Sequence, residues 1–193
     1  MILAIDTSSA QSAVALLDPD RNVVQEVLKP SGRELQLPAT YRALRGTRPL
    51  TKVAVATGPG SFTGLRVGVS FGVGLAIGLG VPIVPLSTLG IQAERSGDPV
   101  TAVSEAGRGR VYLLAPGSQA ALADVSDVPA AWPLVGWLRP ATQAALVAAG
   151  ARLKPDRELR TFGAAVARLL ESATEVAYGS LELEYMQSFG ARF

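Results

Sequence analysis

Gly58-Pro59-Gly60-Ser61-Phe62-Thr63-Gly64-Leu65-Arg66, with the apolar run Val67 to Leu79 behind it, is the stretch that decides how this chain folds. Lys52 to Thr57 in front of it reads as a buried strand. The run after it reads as a long helix, from about Ser61 to Leu79, stopped by Gly80. A strand, a glycine-rich turn and a helix start can together hold an anion, because free backbone N–H groups and the helix dipole point outward. Here the Gly-Lys-Ser/Thr ending of a phosphate loop is missing, and Gly58, Gly60 and Gly64 do not have the G-x-G-x-x-G spacing. The plainer reading is a strand-to-helix turn with Ser61 as cap.

The helix says more than the loop. Gly60, Gly64, Gly68 and Gly72 recur every four residues and form one ridge, continued by Ala76. Leu65, Val69, Val73 and Ile77 form the next ridge, and past Arg66 only Ser70 is polar. A helix apolar nearly all round must be covered on more than one side. Interior glycine costs about 0.5–1 kcal/mol against alanine, so Gly64, Gly68, Gly72, Gly74 and Gly78 together cost roughly 3–5 kcal/mol. Close backbone approach by another element is the expected compensation. The sequence reading places a protein partner on that bare ridge, with wholly internal packing as the alternative.

Outward from this segment, residues 2–8, 11–17 and 22–29 read as three short strands. Residues 33–46 read as a helix with Leu37, Tyr41 and Leu44 on one face and Gly46 as its stop. Residues 81–86 form a further strand, and Ser87 starts another helix. This order, βββαβαβα, implies a mixed sheet with helices crossing between strands. A second half from about residue 99 holds strands at 100–104 and 110–115 around a Gly107-Arg108-Gly109 turn. Residues 116–133 read as irregular, and helices are expected at 140–149 and 161–173.

Composition narrows the chemistry. The 193 residues are 48% hydrophobic and 18% charged, with a net charge of +2, which describes a globular chain. No run of Lys and Arg with interleaved aromatics supports autonomous nucleic-acid binding. The chain has no cysteine and no histidine. That removes disulfides, a Cys/His zinc site, and any nucleophile that relies on a histidine base. Without disulfides or an export signal, the expected location is the cytoplasm. A membrane span over residues 67–86 is disfavoured by Arg66 at its start, by its glycines, and by Pro82 and Pro85 at its end.

Three segments carry a resemblance: Ile2-Leu3-Ala4-Ile5-Asp6-Thr7-Ser8, then Gly58 to Gly68, then Pro85-Leu86-Ser87-Thr88-Leu89. They resemble the TsaB (YeaZ) family, whose members serve the biosynthesis of threonylcarbamoyladenosine in bacterial tRNA. The resemblance implies an α/β fold of the actin/Hsp70/sugar-kinase (ASKHA) type, with two related lobes, here residues 1–98 and a shortened 99–193. It implies a non-catalytic subunit that heterodimerises with a TsaD-like protein, which modifies position 37 of tRNAs reading A-starting codons. A TsaE-like ATPase would join a ternary complex, a homodimer could use the same surface, and tRNA would be met only indirectly. The family's first two helices make the partner contact. On this sequence they map to 33–46 and 61–79, with Leu37, Tyr41, Leu44, Phe62, Leu65, Arg66, Gly68, Val69 and Gly72 as interface residues. Gly58, Pro59, Gly60, Ser61, Phe62, Thr63 and Gly64 form the family motif.

The departures from the family matter too. Relatives often carry a histidine on the first helix, and this chain has none, so no metal site is expected. Glu105-Ala106-Gly107-Arg108-Gly109-Arg110-Val111-Tyr112 stands where the family usually has Asp-Ala-Arg before Glu-Val-Tyr, so no nucleotide-binding residues are expected. Leu183-Glu184-Tyr185-Met186 matches the family's late motif only loosely. No cofactor and no catalytic residue is assigned. The alternative reading is a small ATP-dependent phosphotransferase of the same fold, with Asp6 and Glu105 around a metal–ATP complex; peptidase activity is disfavoured. Asp6 is otherwise a turn-forming residue. Arg66 is read as pairing with a carboxylate, of a partner or of its own chain. Trp132 and Trp137 are read as core plugs.

Overall fold

The computed structural model describes residues 1–32 and 36–184. Residues 33–35 of the expected first helix lie outside the described residues, as do Tyr185 and Met186 of the late segment. The first half runs β1 (Ile2–Asp6), β2 (Gln11–Leu17), β3 (Val23–Pro30), α1 (Leu37–Arg45), β4 (Lys52–Gly58), α2 (Phe62–Leu79), β5 (Ile83–Ser87) and α3 (Thr88–Glu94). The strands form one five-stranded sheet in the order β3-β2-β1-β4-β5. β1 pairs antiparallel with β2 and parallel with β4, Ile2 facing Leu17 on one side and Lys52 on the other.

Strand alternation splits the core into two layers. Leu3, Ile5, Val14, Leu16, Val53 and Val55 face α1 and α2. Ile2, Ala4, Ala13, Ala15, Ala54 and Ala56 face the other way, toward α3 and a helix from late in the chain. The helix ends match the local signals. Ser61 Oγ accepts from Gly64 N at 3.3 Å and Ser87 Oγ from Gly90 N at 3.2 Å. Gly46 and Gly80 close α1 and α2 at φ 56° and 65°, conformations that favour glycine.

The second half contains β6 (Thr101–Gly107), β7 (Arg110–Leu114), β8 (Ala121–Asp124), β9 (Leu134–Val135), α4 (Pro140–Ala148) and α5 (Phe162–Leu169). Its sheet runs β8-β7-β6-β9. The pairings are antiparallel, antiparallel and parallel, the same succession as β3-β2-β1-β4. The repeat is therefore one of topology, and it is invisible in residue identity. In the second copy a single 3-10 turn at Val125–Asp127 stands where α1 stands in the first. α3 lies between the sheets: Ile91 packs into the first core and Leu89 against Ala102 and Tyr112 of the second sheet.

Three expectations change. Residues 116–133 are not wholly irregular, because Ala121–Asp124 pairs with β7 despite its weak composition. The strand expected from Val81 begins at Ile83. The chain after α4 does not stay with the second sheet. Phe162, Ala165 and Val166 of α5 enter the first core, Val176 bridges Ile83, and Glu184 N donates to Thr57 O at 2.8 Å.

Candidate functional site

The glycine ridge of α2 meets its own sheet. A Cβ on Gly60 would stand 2.6 Å from Ser8 O, one on Gly64 would collide with Thr7 O, and one on Gly68 with Thr7 Oγ1. At Gly72 the obstacle is the Val55 side chain. The seam is also hydrogen-bonded: Ser61 N donates to Ser8 O at 2.7 Å and Thr7 Oγ1 to Gly64 O at 2.6 Å. The glycines let α2 lie directly on the end of β1 and its hairpin, so the internal alternative is the one realised.

That corrects the interface assignment. Leu65, Gly68, Val69 and Gly72 are buried beneath α2, and Leu37, Tyr41 and Leu44 are buried beneath α1. Tyr41 packs edge-on against Phe71, which joins the two helices side by side. All seven are buried within the chain, Leu37 at the edge of the cleft between the sheets. Phe62 and Arg66 do reach the surface, with the Arg66 guanidinium 3.9 Å over the Phe62 ring. Arg66 has no carboxylate within ion-pair distance among the described residues, so of the expected pairings the intrachain one is not made.

α2 has a second small-residue stripe on its outer side. Thr63, Val67, Ser70, Gly74, Ile77 and Gly78 are all exposed, Val67 by 51% and Ile77 by 55%. A Cβ on Gly74 or Gly78 would meet nothing within 4 Å. The four-residue spacing is legible in the sequence for both stripes, but nothing in it marks the outer glycines as the exposed ones. By length and composition α2 could cross a membrane, yet its inner side is seated on β1 and β4.

Between the two sheets lies a cleft of about 530 Å³. Its floor is the hydroxyl-rich β1–β2 turn, one wall is the loop from Gly60 to Gly64, and the opposite wall carries Glu105, Tyr112 and Arg139. The two carboxylates of the phosphotransferase alternative are each engaged within the chain. Asp6 is fully buried, and its Oδ1 accepts from Ser8 N at 2.8 Å and Ser8 Oγ at 2.6 Å, an Asx-type turn. Burial raises its pKa above the usual carboxylate value, against the lowering effect of the Ser8 bonds. Glu105 Oε1 accepts from Arg139 N at 2.8 Å and Thr142 Oγ1 at 2.7 Å, which places its charge at the N-terminus of α4. Among the described residues no group of three acidic side chains could hold a metal ion. A metal–ATP complex does not fit these positions.

Three backbone donors of the loop are engaged within the chain, Ser61 N on Ser8 O, Gly64 N on Ser61 Oγ and Leu65 N on Ser61 O. Trp137 is a core plug, stacked by Arg95 at 4.8 Å, and its carbonyl accepts from Ala10 N at 3.2 Å. Trp132 is 40% exposed and is not a core residue.

The five-stranded sheet, its shortened topological copy and the helix between them define an α/β protein of the actin/Hsp70/sugar-kinase type. YeaZ from Pseudomonas aeruginosa superposes with a TM-score of 0.71 at 20% identity, over 96% of this chain and 99% of that one. A family model described as TsaD, tRNA N6-adenosine threonylcarbamoyltransferase, matches residues 43–131. The tRNA threonylcarbamoyladenosine biosynthesis protein TsaB of Bacillus subtilis is 35% identical over 120 residues, 58% of this chain and 52% of that protein. Its Escherichia coli namesake is also 35% identical, over 121 residues and the same shares. Over the matched stretch the chain is similar to the TsaB (YeaZ) family. It spans about half the length of the curated relatives it matches.

Proposed function

We propose that this protein is a TsaB-type accessory subunit for forming threonylcarbamoyladenosine in tRNA. It acts by binding a TsaD-like partner and carries out no chemistry of its own. The observation that carries the reading is the outer face of α2, where Ser70, Gly74 and Gly78 are exposed together with Val67 and Ile77. Such a face lets a second helix approach closely and exposes apolar surface that water disfavours. Ala39 and Ala43 of α1 are also exposed. This reading keeps the proposed partner surface on the two helices named by the family resemblance, about half a revolution away from the glycine ridge. A TsaE-like ATPase then joins the heterodimer, tRNA is met through the partner, and the same face permits a homodimer. We place the start of the second lobe at residue 99, with α5 and the chain after it returning to the first, and the protein in the cytoplasm, in keeping with a tRNA-modification role.

The commitment of Asp6 to a turn and of Glu105 to a helix end supports the reading without chemistry. The test is gel filtration with the TsaD-like protein from the same source. The native chain is expected to co-elute with it and Gly74→Leu is not, while both keep the same circular dichroism. Normal co-elution of the variant would refute the placement of the surface.

A further inference from the structure

α1 and α2 carry charge of one sign. From residue 35 to residue 93 the sequence has no Asp and no Glu, while it holds Arg42, Arg45, Arg48, Lys52 and Arg66. Lys52 finds Glu175 from late in the chain, at 2.8 Å. The four arginines have no carboxylate within ion-pair distance among the described residues. Arg42, Arg48 and Arg66 are exposed, and Arg45 is half-buried.

Their positions border the outer side of α2. Arg66 stands one turn before Ser70 on the same exposed side of the helix. Arg45 stands where the two helices meet: its guanidinium lies 5.8 Å over the Tyr41 ring, the ring that packs against Phe71. Helix electrostatics account for part of this arrangement. Cations in the last turn of α1 suit its dipole, which explains Arg42 and Arg45. Arg66 lies near the opposite end of its own helix, the end that favours anions, and neither helix has an acid in its first turn. Arg42 and Arg45 also stand three residues apart on one helix, where like charges repel. The isolated chain gains nothing from that repulsion, and carboxylates brought by another molecule relieve it.

We propose that the outer face of α1 and α2 docks a protein surface that is apolar along one helix and acidic beside it. The apolar part covers Val67 and Ile77, and the carboxylates meet Arg42, Arg45 and Arg66, whose guanidinium groups suit carboxylate geometry. This inference rests on the accessory-subunit reading and states the chemistry the partner must bring. A polynucleotide would answer the arginines through its phosphates and leave Val67 and Ile77 without apolar cover, so the acidic protein surface fits better.

The test is surface plasmon resonance, with the TsaD-like protein of the same source immobilised and the full chain in solution, at about 50 mM and about 500 mM sodium chloride. The association rate is expected to fall about tenfold with salt while the dissociation rate changes little, because charges at the rim of an interface act on the encounter. Arg42→Glu and Arg66→Glu are each expected to lower the association rate at low salt about three- to tenfold and to flatten its salt dependence. Arg152→Glu, exposed in the second half where Arg152 O accepts from Leu134 N of β9, makes the same change in net charge and is expected to keep the native rate. Should Arg66→Glu disturb its own helix through the lost stacking on Phe62, Arg42→Glu decides, since no described residue pairs with the Arg42 guanidinium. A complex whose association rate ignores both salt and the two reversals would overturn this inference and leave the accessory-subunit reading standing. An equal loss with Arg152→Glu would also overturn it, since the effect would then be one of net charge. No complex at either salt concentration would overturn both. Binding of a tRNA transcript that Arg42→Glu abolishes, with the rate for the protein partner unchanged, would assign the arginines to phosphate and refute the proposal.

Discussion

Gly64→Ala and Gly74→Ala place the same methyl group on opposite sides of α2, and their stabilities should move in opposite directions. At Gly64 the added Cβ collides with Thr7 O, a backbone atom of the β1–β2 turn, and Thr7 Oγ1 already donates to Gly64 O at 2.6 Å. Backbone cannot swing aside as a side chain can, so the helix start must lift and strain or break that bond. Overpacking of this kind costs about 1–3 kcal/mol and a lost hydrogen bond about 1 kcal/mol, against a helix-propensity gain of up to about 1 kcal/mol. The net loss is on the order of 2 kcal/mol. At Gly74 nothing stands within 4 Å, so only the propensity gain and the stiffer unfolded chain remain. That variant gains up to about 1 kcal/mol. The two should differ by roughly 3 kcal/mol, or about 6–12 °C in melting temperature for a chain of this size. Urea denaturation followed by circular dichroism measures the difference. If Gly64→Ala were as stable as Gly74→Ala, the glycine ridge would not be seated on the sheet, and the account of α2 would fall.

The remaining predictions concern charge. Burial raises the pKa of Asp6 in the folded state above its unfolded value, so folding binds that proton more tightly. Its contribution is favourable in acid and is lost as pH rises through the folded value. Asp6→Asn keeps an oxygen that can accept from Ser8 and removes the ionisation, so its stability relative to the native chain should increase from acid to neutral pH in urea titrations. A constant difference across that range would show that Asp6 ionises without penalty. Glu105→Ala leaves Arg139 N and Thr142 Oγ1 unpaired at the start of α4. It should cost about 1–2 kcal/mol in thermal or urea denaturation, and an unchanged midpoint would refute the helix-end role.

Much of the fold is legible from neighbours along the chain. Ser61 and Ser87 announce helix starts through bonds to the N–H three residues on, and Gly46 and Gly80 announce ends because their backbone turns left-handed. The strands of the first sheet are legible because each carries a run of apolar residues long enough to be buried. β8 and β9 escape notice, since four residues with two edge positions and a strand of two residues leave no periodic trace. The Glu105 role was equally hidden: its partners lie 34 and 37 residues away.

Residue order is enough to make α2 a helix with bare stripes that another element must approach closely. Which element approaches depends on the folded chain. A four-residue period marks a ridge on a cylinder, but it carries no mark of which side the sheet takes. That choice is made by where Thr7, Ser8 and Val55 arrive from β1 and β4, through contacts between residues far apart in the chain. They take the ridge of Gly60, Gly64, Gly68 and Gly72 and leave Ser70, Gly74 and Gly78 facing outward.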